Sequence, residues 1–294
     1  MRYRPRGLVA HAAAAATLCA GRADAQQPAG NVLGTARAGM AAVAVERGLR
    51  YRDSLTLDVY RPPGASTPLP VVLFVHGGLV AGVPGASPTS WPNYQSWGRL
   101  AAAEGFAGVT FNHRLTTDDN VADAGLDVEA AIAYLRANAR RLGIDARRLC
   151  LAFYSAGGVL SAGVLREPRP FVRCVVLFYP YLDLEHLRVD TRFRRAYPPN
   201  QVDGLVARYA PVAQLGREPT RLPPMFLAMA GRDEIPGLNA SVRRFLDAAV
   251  EGKAPIEFVI HPSGVHGFDE QNHDARTREI LERCLAYLHW HLDR

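Results

Sequence analysis

Lysine is nearly missing from this sequence. Lys253 is the only one in 294 residues, so arginine supplies almost all of the positive charge. The 34 basic residues exceed the 28 acidic ones by +6. Half of that excess lies in residues 1–25, where Arg2, Arg4, Arg6 and Arg22 stand against Asp24 for a net +3 and leave +3 for the remainder. So small and scattered a charge argues against nucleic acid as a partner. Cysteine is scarce too, with four in all: Cys19, Cys150, Cys174 and Cys284. Once Cys19 is set aside with the leader, the odd number leaves at least one free thiol. Cys150 and Cys174 fall in apolar runs read as neighbouring strands. A bridge between them is conceivable; the alternative is buried thiols packing as small hydrophobes. No apolar run in the body of the chain reaches the length of a transmembrane helix, so no stable membrane span is expected. His-Glu-x-x-His is absent, and His289-Trp290-His291 lies on a helix, where residues two apart do not share a face, so no metal is expected. No Gly-x-Gly-x-x-Gly opens a helix after a strand, and no cofactor is expected.

What is present is ordinary globular composition, 48% hydrophobic and 21% charged, on a chain within the range of one large α/β domain. Arg2, Arg4 and Arg6 are followed by an alanine-rich apolar stretch, Gly7 to Ala20, and by Ala23-Asp24-Ala25. That is the layout of a signal peptide cleaved after Ala25, which implies a secreted or periplasmic protein; a disordered Ala-rich tail is the alternative. Residues 26–42 read as a linker, and 43–294 as a single domain. The domain opens with a hairpin, Val43 to Arg52 and Leu55 to Tyr60, the second arm alternating apolar and polar. Pro68 and Pro70 are expected to keep the next linker out of the sheet. Buried strands follow at Val71–Val75, Ala107–Asn112, Leu149–Phe153, Cys174–Phe178, Met225–Ala230 and Ile256–Ile260. Helices are expected at Gln95–Glu104, Asp127–Leu142 with Gly143 as its cap, Val159–Leu165, Ser241–Val250 and Arg276–His291. Residues 182–220 lack strong periodicity and are expected to form a lid-like insertion. The alternation predicts an α/β fold with a mostly parallel eight-stranded sheet, helices on both faces, and a ligand site at the carboxyl ends of the strands.

Four of those strand ends carry chemistry. One apolar run stops at Ser155, which is followed by Ala156, Gly157 and Gly158 and then by a helix. A strand turning sharply into a helix with serine at the bend exposes a nucleophile. The usual Gly-x-Ser-x-Gly pattern is met only in part, because Phe153 holds the first position; its ring must point into the core or shift the turn. The other ends are His76-Gly77-Gly78, Asp233-Glu234 and Gly264-Val265-His266-Gly267-Phe268. Serine hydroxyls need a base, and the resulting imidazolium needs an acid to orient it. His266, six residues past the last strand, is the candidate base, with His261 as competitor. Asp233 is the candidate acid, with Glu234 and Asp269 as alternatives.

With Ser, Asp and His in this chain order, His-Gly-Gly after one strand and Ser-Ala-Gly-Gly after another, the chain resembles an α/β-hydrolase of the esterase/lipase kind. It is similar to the hormone-sensitive-lipase-like and small acetyl-esterase families over roughly residues 45–294. The resemblance implies a carboxylesterase acting on small-molecule esters through a Ser155 acyl-enzyme. It also implies an oxyanion hole of backbone N–H groups from Gly78, Leu79 and Ala156, with His76 bracing the loop. A third glycine is usual where Leu79 stands. The loop with Trp91 and Trp97, and the segment with Phe193 and Tyr197, fall where such folds build lids and acyl pockets. A peptidase or amidase on the same fold and a catalytically impaired binding member are the rival readings.

Overall fold

The computed structural model describes residues 31–78, 87–116, 120–191, 195, 197–216 and 221–294. The expected leader, Leu79 and Phe193 lie outside the described residues.

Eight strands form one sheet: β1 Ala44–Arg52, β2 Leu55–Arg61, β3 Leu69–Val75, β4 Ala107–Phe111, β5 Ile144–Tyr154, β6 Val172–Phe178, β7 Met225–Ala230 and β8 Ile256–His261. Their spatial order is β1-β2-β4-β3-β5-β6-β7-β8. The β1–β2 and β2–β4 pairs are antiparallel and every later pair is parallel. This is the α/β-hydrolase arrangement. The chain reverses direction across β3, so β3 and β5 lie side by side and the loops after them meet at one edge.

Residues of the central strands alternate between two cores. Leu73, Val75, Leu149, Leu151, Phe153, Val175, Leu177 and Leu227 face helices α2 (Val121–Ala137), α3 (Ser161–Arg166), α4 (Pro199–Tyr209) and α5 (Leu238–Glu251). Val72, Phe74, Cys150, Ala152, Tyr154, Val176, Phe178 and Phe226 face α1 (Pro92–Ala103) and α6 (Ala275–Leu292). Apolar residues on both faces of β3, β5, β6 and β7 are what a sheet covered on both sides requires.

The departures from expectation have local causes. β3 starts at Leu69, so Pro70 is inside the strand, and the register with β5 skips between Leu69 and Val71. Proline is tolerated at a strand start, where one ladder bond can be missed. The expected helix 127–142 is instead α2, which begins earlier at Val121 and stops at Ala137. Asn138 Nδ2 donates to the Tyr134 carbonyl at 2.9 Å, and a separate turn Ala139–Leu142 follows. Within 182–220, where no periodicity was evident, α4 runs from Pro199 to Tyr209 and puts Val202 and Val206 into the main core. Proline at its first position was the available signal. Residues 31–42, expected as a linker, pack onto the body: Leu33 and Met40 are buried, and Arg37 pairs with Glu104 and Glu282. Cys150 and Cys174 are partners across β5 and β6, and both remain buried thiols.

Candidate active site

β5 ends at Tyr154, and Ser155 takes φ 50°, in the left-handed region. A non-glycine residue held there stores strain, which persists only where the surroundings over-determine it. Here the surroundings are backbone. Tyr181 N–H donates to the Ser155 carbonyl at 2.9 Å. A Cβ on Gly157 would stand 2.3 Å from the His76 carbonyl oxygen, and one on Gly158 would stand 2.6 Å from that of Tyr181. Only glycine lets the turn settle this closely between β3 and β6.

His266 follows β8 and precedes Gly267, whose φ of 72° turns the chain. Its Nε2 lies 2.8 Å from Ser155 Oγ, and its Nδ1 lies 2.7 Å from Asp233 Oδ2. The Asp233 carboxylate is fully buried and its other oxygen accepts from Ile235 N–H at 3.0 Å, while the His266 ring is 30% exposed. Three residues from three strand ends thus form one hydrogen-bonded chain, in which Asp233 holds the Nδ1–H tautomer and leaves Nε2 free to accept from the serine. The competing residues are elsewhere. His261 is fully buried and bonds Asp274 at 3.1 Å and Thr277 at 3.0 Å. Glu234 is exposed.

A family whose model is described as BD-FAE matches residues 57–190. The carboxylesterase NlhH of Mycobacterium tuberculosis is 28% identical over 249 residues, covering 76% of this chain and 74% of that protein. An ethyl acetate hydrolase of Pseudomonas putida is 27% identical over 246 residues, covering 75% of this chain and 74% of its own. An esterase of Thermogutta terrifontis, solved with propionate bound, superposes with a TM-score of 0.63 at 21% identity, covering 85% of this chain and 94% of that one.

The chain has the α/β-hydrolase fold.

In this α/β-hydrolase fold Phe153 does not disturb the serine turn. Its ring is fully buried in the core facing α2 and α3, in register with Val75 and Leu177. The side chain two positions before the serine points away from the substrate side, so its bulk is absorbed by the core.

The loop after β3 is braced from two sides. His76 and His113 stack with ring centroids 3.5 Å apart. His76 Nδ1 faces the Gly77 carbonyl at 2.9 Å, and His113 Nε2 faces the His76 carbonyl at 3.1 Å. His76 Nε2 accepts from His113 N–H at 3.4 Å and His113 Nδ1 accepts from Leu115 N–H at 3.3 Å, so each ring is neutral with one proton. Burial holds His76 down at about 4 and His113 well below the ordinary histidine value. On the other side, Gly77 N–H donates to Tyr94 Oη at 2.6 Å. That N–H is committed, whereas Gly78 N–H has no acceptor among the described residues. Gly78 has φ 75° and packs against Trp91. Of the two tryptophans expected near the substrate, Trp91 borders this loop. Trp97 instead is buried on α1 and donates its indole N–H to Asp269 Oδ2 at 2.8 Å.

Tyr94 and Tyr179 went unnoticed in the sequence. Tyr94 sits in the first turn of α1, where an aromatic reads as core. Tyr179 precedes Pro180 at the end of β6, and its ring lies 4.9 Å from that of His266. A tyrosine-proline pair at a strand end was the one signal it carried.

Proposed function

We propose that this protein is a serine carboxylesterase that hydrolyses small esters through an acyl-enzyme on Ser155. The observation that carries the reading is the unbroken chain from Ser155 Oγ through His266 to the buried Asp233, at 2.8 Å and 2.7 Å. A strained serine with a base already in hydrogen-bond reach is what nucleophilic acyl transfer needs. The carboxylesterase and the ethyl acetate hydrolase among its relatives support the ester as the bond attacked.

In this mechanism Ser155 Oγ attacks the ester carbonyl carbon as its proton passes to His266 Nε2. The Asp233 carboxylate stabilises the imidazolium. The carbonyl oxygen becomes an oxyanion, held by the N–H groups of Gly78, Leu79 and Ala156, each worth about 3 kcal/mol in such sites. The C–O bond to the alcohol then breaks as His266 returns the proton to the leaving oxygen. Water, deprotonated by His266, releases the acid and restores Ser155. Among the described residues no helix is long and apolar enough to cross a membrane.

The test compares wild type with Ser155→Ala on a short-chain nitrophenyl ester, together with fluorophosphonate labelling. The expected result is turnover and a covalent adduct at Ser155 in wild type, both lost in a folded variant. Undiminished turnover in Ser155→Ala, or no adduct in wild type, overturns the assignment.

A further inference from the structure

Asp269 is fully buried, yet no cation touches it among the described residues. Its oxygens accept from two neutral donors, Tyr179 Oη at 2.6 Å and Trp97 Nε1 at 2.8 Å. A carboxylate taken out of water without a counter-charge is costly, and it is retained where a charge appears nearby at some stage. The group that gains charge nearby is His266. The Tyr179 ring, held by Asp269 at its hydroxyl, meets the His266 ring in a T-shaped contact at 4.9 Å.

Tyr179 is itself held against its backbone preference. Its φ is 36°, and it precedes Pro180, which disfavours helical conformations for the residue before it. Its N–H donates to the Ala228 carbonyl at 2.7 Å, and two residues on Tyr181 N–H reaches the Ser155 carbonyl. One strained segment thus fixes the nucleophile's backbone and backs the base's ring. Strain of this kind collects at functional sites.

We propose that Asp269 is a second acid of this site, a positioning residue that acts on His266 through the Tyr179 ring and through its own buried charge. The proposal rests on the esterase reading above. When Ser155 passes its proton to His266 Nε2, the imidazolium is flanked by Asp233 at Nδ1 and by the Tyr179 ring with Asp269 behind it. An aromatic ring and a carboxylate in a low-dielectric interior both favour the cation. The other ionisable groups around Asp269 are Glu270, Tyr94, Tyr154 and Cys284; those around His266 are Asp233, Ser155 and Tyr179. Burial raises both Asp269 and Glu270, and the Asp269 charge helps push Glu270 up to about 8. The hydrogen bonds from Tyr179 and Trp97 and the nearby His266 oppose that rise at Asp269.

The experiment is the pH profile of kcat/KM for a short-chain nitrophenyl ester, with melting temperatures, in wild type, Asp269→Asn, Tyr179→Phe and the double variant. The amide introduced by Asp269→Asn can still accept from Trp97 and donate to Tyr179, so this variant removes charge while keeping the contacts. Loss of a negative charge beside His266 disfavours the imidazolium, so the acid limb moves to lower pH, by roughly half a unit or more. Tyr179→Phe strips a donor from Asp269, drives it to its protonated form and moves the limb the same way; the double variant adds little. Lower melting temperatures with an unmoved acid limb in both single variants reduce Asp269 to a structural role and overturn the proposal. If Asp269→Asn does not fold, Tyr179→Phe alone decides. A wild type with neither turnover nor a Ser155 adduct refutes the esterase reading and this proposal together, whereas an active wild type with unmoved limbs refutes only the proposal.

Discussion

Gly157 and His76 are in backbone contact across the site: a Cβ on the glycine would lie 2.3 Å from the histidine's carbonyl oxygen. The serine turn after β5 and the loop after β3 are therefore one packed unit. Neither can shift without the other, and a group on Ser155 must face the N–H groups of that loop.

Gly157→Ala forces the two apart. Because the atom it meets is backbone, the relief is a movement of the His76–Gly78 loop. The expected outcome is destabilisation of about 1–3 kcal/mol. Ester turnover should fall by a much larger factor than a stability loss of that size explains. Chemical denaturation and kcat/KM measured on the same preparation check this.

Phe153→Gly restores the commoner residue two positions before the serine. The buried ring belongs to the core, so its removal leaves a cavity that costs roughly 3–5 kcal/mol. No gain in kcat is expected. A variant more active than wild type at a permissive temperature would mean that the ring constrains the turn.

Tyr94→Phe removes the acceptor of the Gly77 N–H and leaves the ring in place. The freed peptide can rotate, and the Gly78 N–H proposed for the oxyanion hole loses its position. A roughly tenfold loss of kcat with little change in KM is expected, the size of one hydrogen bond felt mainly in the transition state. Steady-state kinetics on one ester suffice.

His76 gives the fold an acid sensitivity. Its folded-state value, about 4, lies below the ordinary 6.5 because burial disfavours the cation. The unfolded chain binds this proton first, so its contribution to stability is complete above about 6.5 and is lost as pH falls towards 4. His113, shifted the same way, adds to the effect. Denaturant midpoints from pH 7 to pH 4 should fall across this window, and His113→Gln should flatten the slope.

Much of this was legible along the chain. The apolar runs that became β3, β5, β6 and β7 carry apolar residues for both faces, so strand identity followed from local pattern alone. Helix limits were less legible, as at Asn138 and Pro199, because capping bonds and a few inward valines outweigh weak periodicity. Leu33 and Met40 could not be read as buried, because small neighbours hide two apolar residues that only α1 and α6 cover.

The sequence by itself determined which residue types end each strand and in what order, because strand and turn formation respond to neighbours a few positions away. It placed serine, aspartate and histidine at separate strand ends, and it left open which histidine and which acid meet the serine. Only the tertiary structure decided that. Ser155 and His266 are 111 residues apart, and Trp97 and Asp269 are 172 apart. No local pattern reports a hydrogen bond across such a separation. The sheet order brings the strand ends together, and packing then buries His261 against Thr277, leaves Glu234 in solvent and sets Asp269 behind Tyr179.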